Sequence, residues 1–177
     1  MRVLVVYESM YGNTRRIAEA IGSGLGANFD VVPVREAIPD RVATADLLVV
    51  GGPTHVRGIS RPSSRKAAGD AAGKPGSTLT LEAGADALGL REWFASLGTL
   101  SCQGAAFDTR VDMPALFAGR AAPRIARLLQ HHGAHLIASP QSFLVDKQNR
   151  LLDGEYNRAP MWGEDLARAL HAVSNTG

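Results

Sequence analysis

One cysteine, Cys102, stands in a chain of 177 residues. It has no partner for an internal disulfide and no neighbour for a CxxC metal site, and it points to a reducing, cytoplasmic setting. Long apolar runs are missing too. Nothing approaches the length of a membrane span, and the apolar stretch before Glu8 is too short for the core of a signal peptide. No large excess of either charge is present: the formal net charge is +2 and the isoelectric point about 9.0. That mild balance, with no readable basic motif, argues against nucleic acid as a partner. Repeats, low-complexity arrays and a convincing domain boundary are all absent, so residues 1–177 are expected to form one domain.

Apolar residues make up 45 % of the chain and charged ones 20 %, the ordinary globular range. Basic residues gather in two places. Arg57, Arg61, Arg65, Lys66 and Lys74 face one acid, Asp70, and between Asp112 and Asp146 the only charges are Arg120, Arg124 and Arg127.

The apolar pattern alternates between two periods. "RVLVVY" (2–7) and "ADLLVVGG" (45–52) are continuous apolar runs that read as strands buried on both faces. "FDVVPV" (29–34) reads as an edge strand because Pro33 lies inside it. "GAAFDT" (104–109) is a fourth strand; "HLIAS" (135–139) with "SFLV" (142–145) makes a fifth, interrupted one. Helical spacing joins Ile17, Ile21 and Leu25, covers 90–97, and returns in Trp162, Leu166, Leu170 and Val173. A helix over 115–132 is predicted, with Asp112 as cap, Pro114 in its first turn, and Phe117, Ala121, Ile125, Leu128 and Leu129 facing the core. Residues 58–89 read as a long polar loop with room for a helical turn, of the length that is usually functional or mobile. Strands alternating with helices imply a parallel sheet covered on both faces.

In such a sheet, ligands bind beyond the carboxyl ends of the strands. Three loops leave such ends: 8–14, 51–61 and 108–114. The first opens a helix, whose unpaired amides and positive dipole end suit an anion. Ser9, Tyr11 and Thr14 add hydroxyls, Gly12 permits a tight turn, and Asn13 suits a cap. The chemistry predicted is a phosphate held by neutral donors.

"SMYGNT" (9–14) resembles the FMN phosphate loop of the flavodoxin family, which runs Ser/Thr-x-Thr/Ser-Gly-x-Thr. "VVGGPTHVRG" (49–58) resembles the second flavin loop, especially the Gly-Pro-Thr of flavodoxin-like quinone reductases. "FDTRVDMP" (107–114) stands where the third flavin loop belongs. The resemblance implies an α/β, flavodoxin-like, doubly wound three-layer sandwich around a five-stranded parallel sheet of order 2-1-3-4-5. It further implies that Ser9, Met10, Tyr11, Gly12, Asn13 and Thr14 hold the FMN phosphate. Pro53, Thr54, His55, Val56 and Arg57 would border the ring on one side; Asp108, Thr109 and Arg110 would approach its pyrimidine end.

Loops 51–61 and 108–114 contain no Trp, Tyr or Phe, and the chain is not acidic. Electron-shuttle flavodoxins differ in both respects. The expectation is therefore an FMN-dependent oxidoreductase passing electrons from NAD(P)H to a quinone-like acceptor. A single-electron carrier serving a redox partner protein, and a regulatory module that has lost FMN, are the alternatives. A homo-oligomer that completes the pocket stays open.

Other residues read as structural. His131 and His132 suit a helix end better than a metal site. Arg15 and Arg16 suit solvent, and Trp93 and Trp162 suit the core. "GDAAGKPG" (69–76) fails as a P-loop, and "GSGLG" (22–26) fails as a dinucleotide fingerprint because it closes a helix.

Overall fold

A computed structural model describes residues 1–26, 28–55, 58–114 and 119–175. The strands are β1 (Val3–Tyr7), β2 (Phe29–Pro33), β3 (Leu47–Pro53), β4 (Gln103–Val111), β5 (His135–Leu136) and β6 (Gln141–Val145). The helices are α1 (Asn13–Gly24), α2 (Pro39–Ala43), α3 (Pro62–Ala72), α4 (Leu90–Ser96), α5 (Ala122–His131) and α6 (Glu155–Ser174), with a 3₁₀ turn at Val34–Glu36.

The sheet is parallel and ordered β2-β1-β3-β4-β5, with β6 also paired to β4. The fifth position is shared. β5 pairs with Gln103 and Gly104 at the start of β4, and β6 pairs with Phe107–Val111 at its end. The interruption read in the sequence is thus a real break, and the sheet counts six strands where five were expected.

Side chains alternate across each strand, so one sheet carries two cores. Leu4, Val6, Leu48, Val50 and Ala106 face Trp93 and Phe94 of α4 and Ile125 and Leu129 of α5. Val3, Val5, Leu47, Val49 and Phe107 face Ile17 and Ile21 of α1 and Trp162 and Leu166 of α6. Both tryptophans are core residues, as expected; Trp93 Nε1 also donates to the Ala37 carbonyl at 2.8 Å. The "GSGLG" run has a packing purpose. A Cβ on Gly24 would collide with the Pro160 carbonyl, and one on Gly163 with the Ile21 carbonyl, so these glycines let α1 and α6 meet backbone to backbone.

Two expectations are corrected. Residues 58–89 contain α3, eleven residues long, rather than a loop with one turn. Only Arg65 and Ala68 of α3 are buried, so it lacks the apolar stripe that announces a helix. The helix expected over 115–132 begins at Ala122, with Pro123 in its first turn. Its N-terminus is held by Asp108 from the neighbouring strand rather than by Asp112. Phe117 lies outside the described residues.

Candidate functional site

The register levels three strand ends. Tyr7 pairs with Gly51, and Pro53 with Thr109, so the loops after β1, β3 and β4 leave the sheet together. They are bound to one another: Glu8 N–H donates to Gly51 O at 3.0 Å, and Thr54 N–H donates to Thr109 O at 2.8 Å. Between them lies a cavity of about 150 Å³.

The first loop contributes Ser9, Met10, Tyr11, Asn13 and Thr14 to its wall. Gly12, immediately before α1, has φ +92°, a left-handed conformation that disfavours any other residue. Its N–H donates to Ser9 Oγ at 3.1 Å, which fixes the turn. Among the described residues no side chain caps α1, and no acid stands in its first turn. The first-turn amides, which have no partner within a helix, are therefore not claimed by a cap, and no carboxylate on that turn repels an anion. Thr14 and Thr109 hydroxyls lie 2.7 Å apart, both buried. Asn13 Nδ2 donates to Asn149 O at 2.7 Å.

The Tyr11 hydroxyl donates to Ala68 O of α3 at 2.8 Å, and Met10 O accepts from Glu82 N at 2.8 Å. The 58–89 segment thus braces the first loop from behind. The Glu82 carboxylate approaches Gly12, where it is paired with Arg15 at 2.5 Å. Arg15 and Arg16 are both exposed, as expected from the sequence.

The second loop brings Pro53, Thr54 and His55 to the cavity. Thr54 Oγ1 accepts from Ala121 N at 3.0 Å, which ties this loop to α5. His55 exchanges backbone hydrogen bonds with Gly58, at 2.8 and 3.0 Å. Its Nε2 is buried with no partner among the described residues. Burial first, and the charge of Arg65 second, push the His55 pKa down, so the ring is neutral near pH 7. Val56 and Arg57 lie outside the described residues.

From the third loop, Thr109, Arg110 and Val111 line the cavity. Arg110 Nη1 donates to the carbonyls of Val111 (3.2 Å) and Met113 (2.8 Å), which orients the guanidinium. Asp108 is not part of the lining. It is fully buried, and its Oδ2 accepts from Ala122 N at 2.7 Å, capping α5 from the sheet. Burial raises its pKa against the pull of that hydrogen bond.

Val145 and Asn149 complete the wall from the end of β6 and the turn after it. Sequence reasoning did not place them there; the interrupted fifth strand was the available signal, since its second half runs beside the site end of β4. A buried polar network behind the site was equally unforeseen. Glu8 Oε2 accepts from Leu90 N at 2.8 Å, and Arg65 bonds Ser60 Oγ and Glu92, each at 3.1 Å. A lone acid directly after an apolar strand was its visible trace. Among the described residues, no group of three His, Cys, Asp or Glu is placed to hold a metal, and no helix is long and apolar enough to cross a membrane.

The chain's likenesses agree with this geometry. A flavodoxin from the domain Archaea superposes with a TM-score of 0.65 at 21 % identity, covering 97 % of this chain and 99 % of that one. Oxidised flavodoxin 1 from Bacillus cereus gives 0.63 at 14 %, covering 95 % and 98 %. The rubredoxin:oxygen oxidoreductase of Desulfovibrio gigas gives 0.61 at 17 %, covering 97 % of this chain but 36 % of that larger one. These identities speak for the fold. No curated protein matches in sequence. The sequence profile of the family Flavodoxin, whose members bind FMN, matches residues 5–93, a span that includes the first two loops. The chain belongs to the flavodoxin family.

Proposed function

We propose that this chain binds FMN among the three loops and works as an oxidoreductase, passing electrons from NAD(P)H to a quinone-like acceptor. The observation that carries the reading is the α1 N-terminus, with no acid in its first turn and Glu82 nearby neutralised by Arg15, opening onto a cavity closed by the other two loops. Its donors are neutral amides and hydroxyls, which suit a phosphate monoester. In this reading Ser9, Met10, Tyr11, Gly12, Asn13 and Thr14 form the phosphate cradle. Ser9 sets the turn, and Thr14, held by Thr109, lines the cavity.

Bound FMN would supply the hydride and electron transfer, for which the protein provides binding and orientation. Pro53, Thr54 and His55 would border the ring on one side, with Val56 and Arg57 assigned to the same loop by family resemblance. Thr109 and Arg110 would meet its polar edge, where the fixed guanidinium favours negative charge. Asp108 would act behind them, holding the third loop to α5. His55, neutral and with Nε2 unpartnered, is the side chain able to donate to or accept from a second substrate over the ring.

Among the described residues the lining has no Trp or Phe, and its aromatic rings are Tyr11 and His55. An uncovered ring face leaves space for an aromatic substrate to stack. Full-length superposition on flavodoxins favours a second reading, a single-electron carrier. A reductive titration of the FMN-loaded protein separates the two. The oxidoreductase reading expects a direct change from oxidised to fully reduced spectrum with shared isosbestic points. A stable third spectrum partway, with no NAD(P)H oxidation, contradicts it.

A further inference from the structure

Beside the cavity, and sharing His55 with it, lies a second hollow of about 350 Å³. Arg61, Arg91 and Arg124 line it, with Ser63 and Ser64 from the start of α3. These arginines come from three different elements: the α3 N-cap, α4 and α5. Among the described residues the ion pairs of the region join Arg65 to Glu92 and Lys66 to Asp70, and none reaches Arg61, Arg91 or Arg124. Arg91 donates to the carbonyls of Ser60 (3.3 Å) and Ile59 (3.4 Å), which fixes its plane and leaves further N–H groups of the fork unused. Arg124 crosses from α5 toward the second loop, its Cδ 3.9 Å from the position of a Cβ on Gly58. Burial, then the charges of Arg124 and Arg61, push the Arg91 pKa down. Glu92 offsets part of the charge on Arg91 but pairs with Arg65, and three close cations with no ion pair of their own among the described residues are a costly arrangement that an anion would relieve.

Ile59, Arg91 and Arg124 also border a third hollow of about 360 Å³, between α4 and α5. Its floor is apolar, with Phe94 and Leu128. The sequence of chemistry along the surface is then flavin cavity, His55, an arginine cluster, and an apolar shelf. A molecule with a ring at each end and a doubly charged bridge between them has the same order.

We propose that Arg61, Arg91 and Arg124 bind the pyrophosphate of a dinucleotide whose nicotinamide reaches the cavity past His55 and whose adenine rests between α4 and α5. The proposal rests on the flavin reading for the role of the nicotinamide, but the anion site is measurable without flavin.

The test titrates inorganic pyrophosphate, and separately NADH, into the full chain with FMN in excess, so that the phosphate cradle is filled. Heat of binding is read at physiological salt. The double variant Arg61→Gln/Arg124→Gln alters exposed side chains and is compared with Arg168→Gln, a remote surface control. Pyrophosphate binding weakened about tenfold or more in the double variant and unchanged in the control is expected. NADH should bind more tightly than pyrophosphate and weaken in parallel. Pyrophosphate affinity equal to wild type in the double variant overturns the site. NADH binding that the double variant leaves unchanged overturns its assignment to a dinucleotide. FMN uptake, read from flavin absorbance in the same samples, reports on the cradle alone; failure there with an arginine-dependent pyrophosphate signal strikes the flavin reading and leaves the anion site standing.

Discussion

At the scale of single residues, the cradle depends on where hydroxyls are already engaged. Tyr11 gives its proton to Ala68 O, whereas Thr14 and Thr109 share one bond at the cavity wall. In the proposed cradle, removing the Thr14 hydroxyl takes away a donor beside the phosphate position; removing the Tyr11 ring loosens the loop's brace. Thr14→Ala with Tyr11→Ala should weaken FMN binding about tenfold or more, with Thr14→Ala alone carrying most of the loss. Flavin fluorescence titration measures it, and unchanged affinity would refute the cradle. Tyr11 was legible as a hydroxyl in the motif, but its partner lies 57 residues away, beyond what local pattern records.

His55 makes a pH prediction. Its folded pKa is depressed, so as pH falls the unfolded chain takes up the proton first. Stability due to the neutral ring is present above about pH 6.5 and is lost as the pH falls through the folded value. The stability difference between wild type and His55→Gln should therefore move against wild type from pH 7 toward pH 5, measured by thermal unfolding. Asp108 runs the other way. Its raised pKa means that stability is present in acid and lost as the pH rises through the folded value. Asp108→Asn keeps an oxygen for Ala122 N and removes that loss, whereas Asp108→Ala leaves a buried N–H unpaired and should cost about 1–2 kcal/mol.

Among the elements, legibility followed periodicity. β1, β3, α1 and α6 stand close to where their apolar patterns place them, because each buries a full stripe or face in one of the two cores. α3 escaped notice because it is built from small and polar residues and is fixed by a buried arginine instead. α5 begins late because its cap comes from β4, a tertiary contact that Asp112-Met-Pro imitates in sequence. The α1–α6 contact is the element on which the fold is least forgiving. Gly163→Ala places a methyl group against the Ile21 carbonyl, with backbone on both sides and no flexible side chain to yield. A loss of about 1–3 kcal/mol or more is expected in denaturant unfolding. A neutral result would mean that the helices separate more easily than their packing implies.

For the whole molecule, the sheet order and the levelled strand ends bring three distant loops to one place. Their positions were readable as the polar ends of apolar runs; the contribution of β6 was not, and the arginine cluster showed only as two separate basic stretches holding Arg61 and Arg124, since it is assembled from separate elements. The balance of charge fits the proposed anionic substrate better than an acidic protein shuttle: the net charge is +2, and three arginines with no ion pair among the described residues flank the site. The central claim is that the cavity holds FMN, and a visible-absorption titration of FMN with the purified chain tests it most directly. The account predicts saturable, equimolar uptake with a perturbed flavin spectrum, weakened by Thr14→Ala. A wild-type chain that leaves the spectrum of free FMN unchanged at every concentration would contradict it.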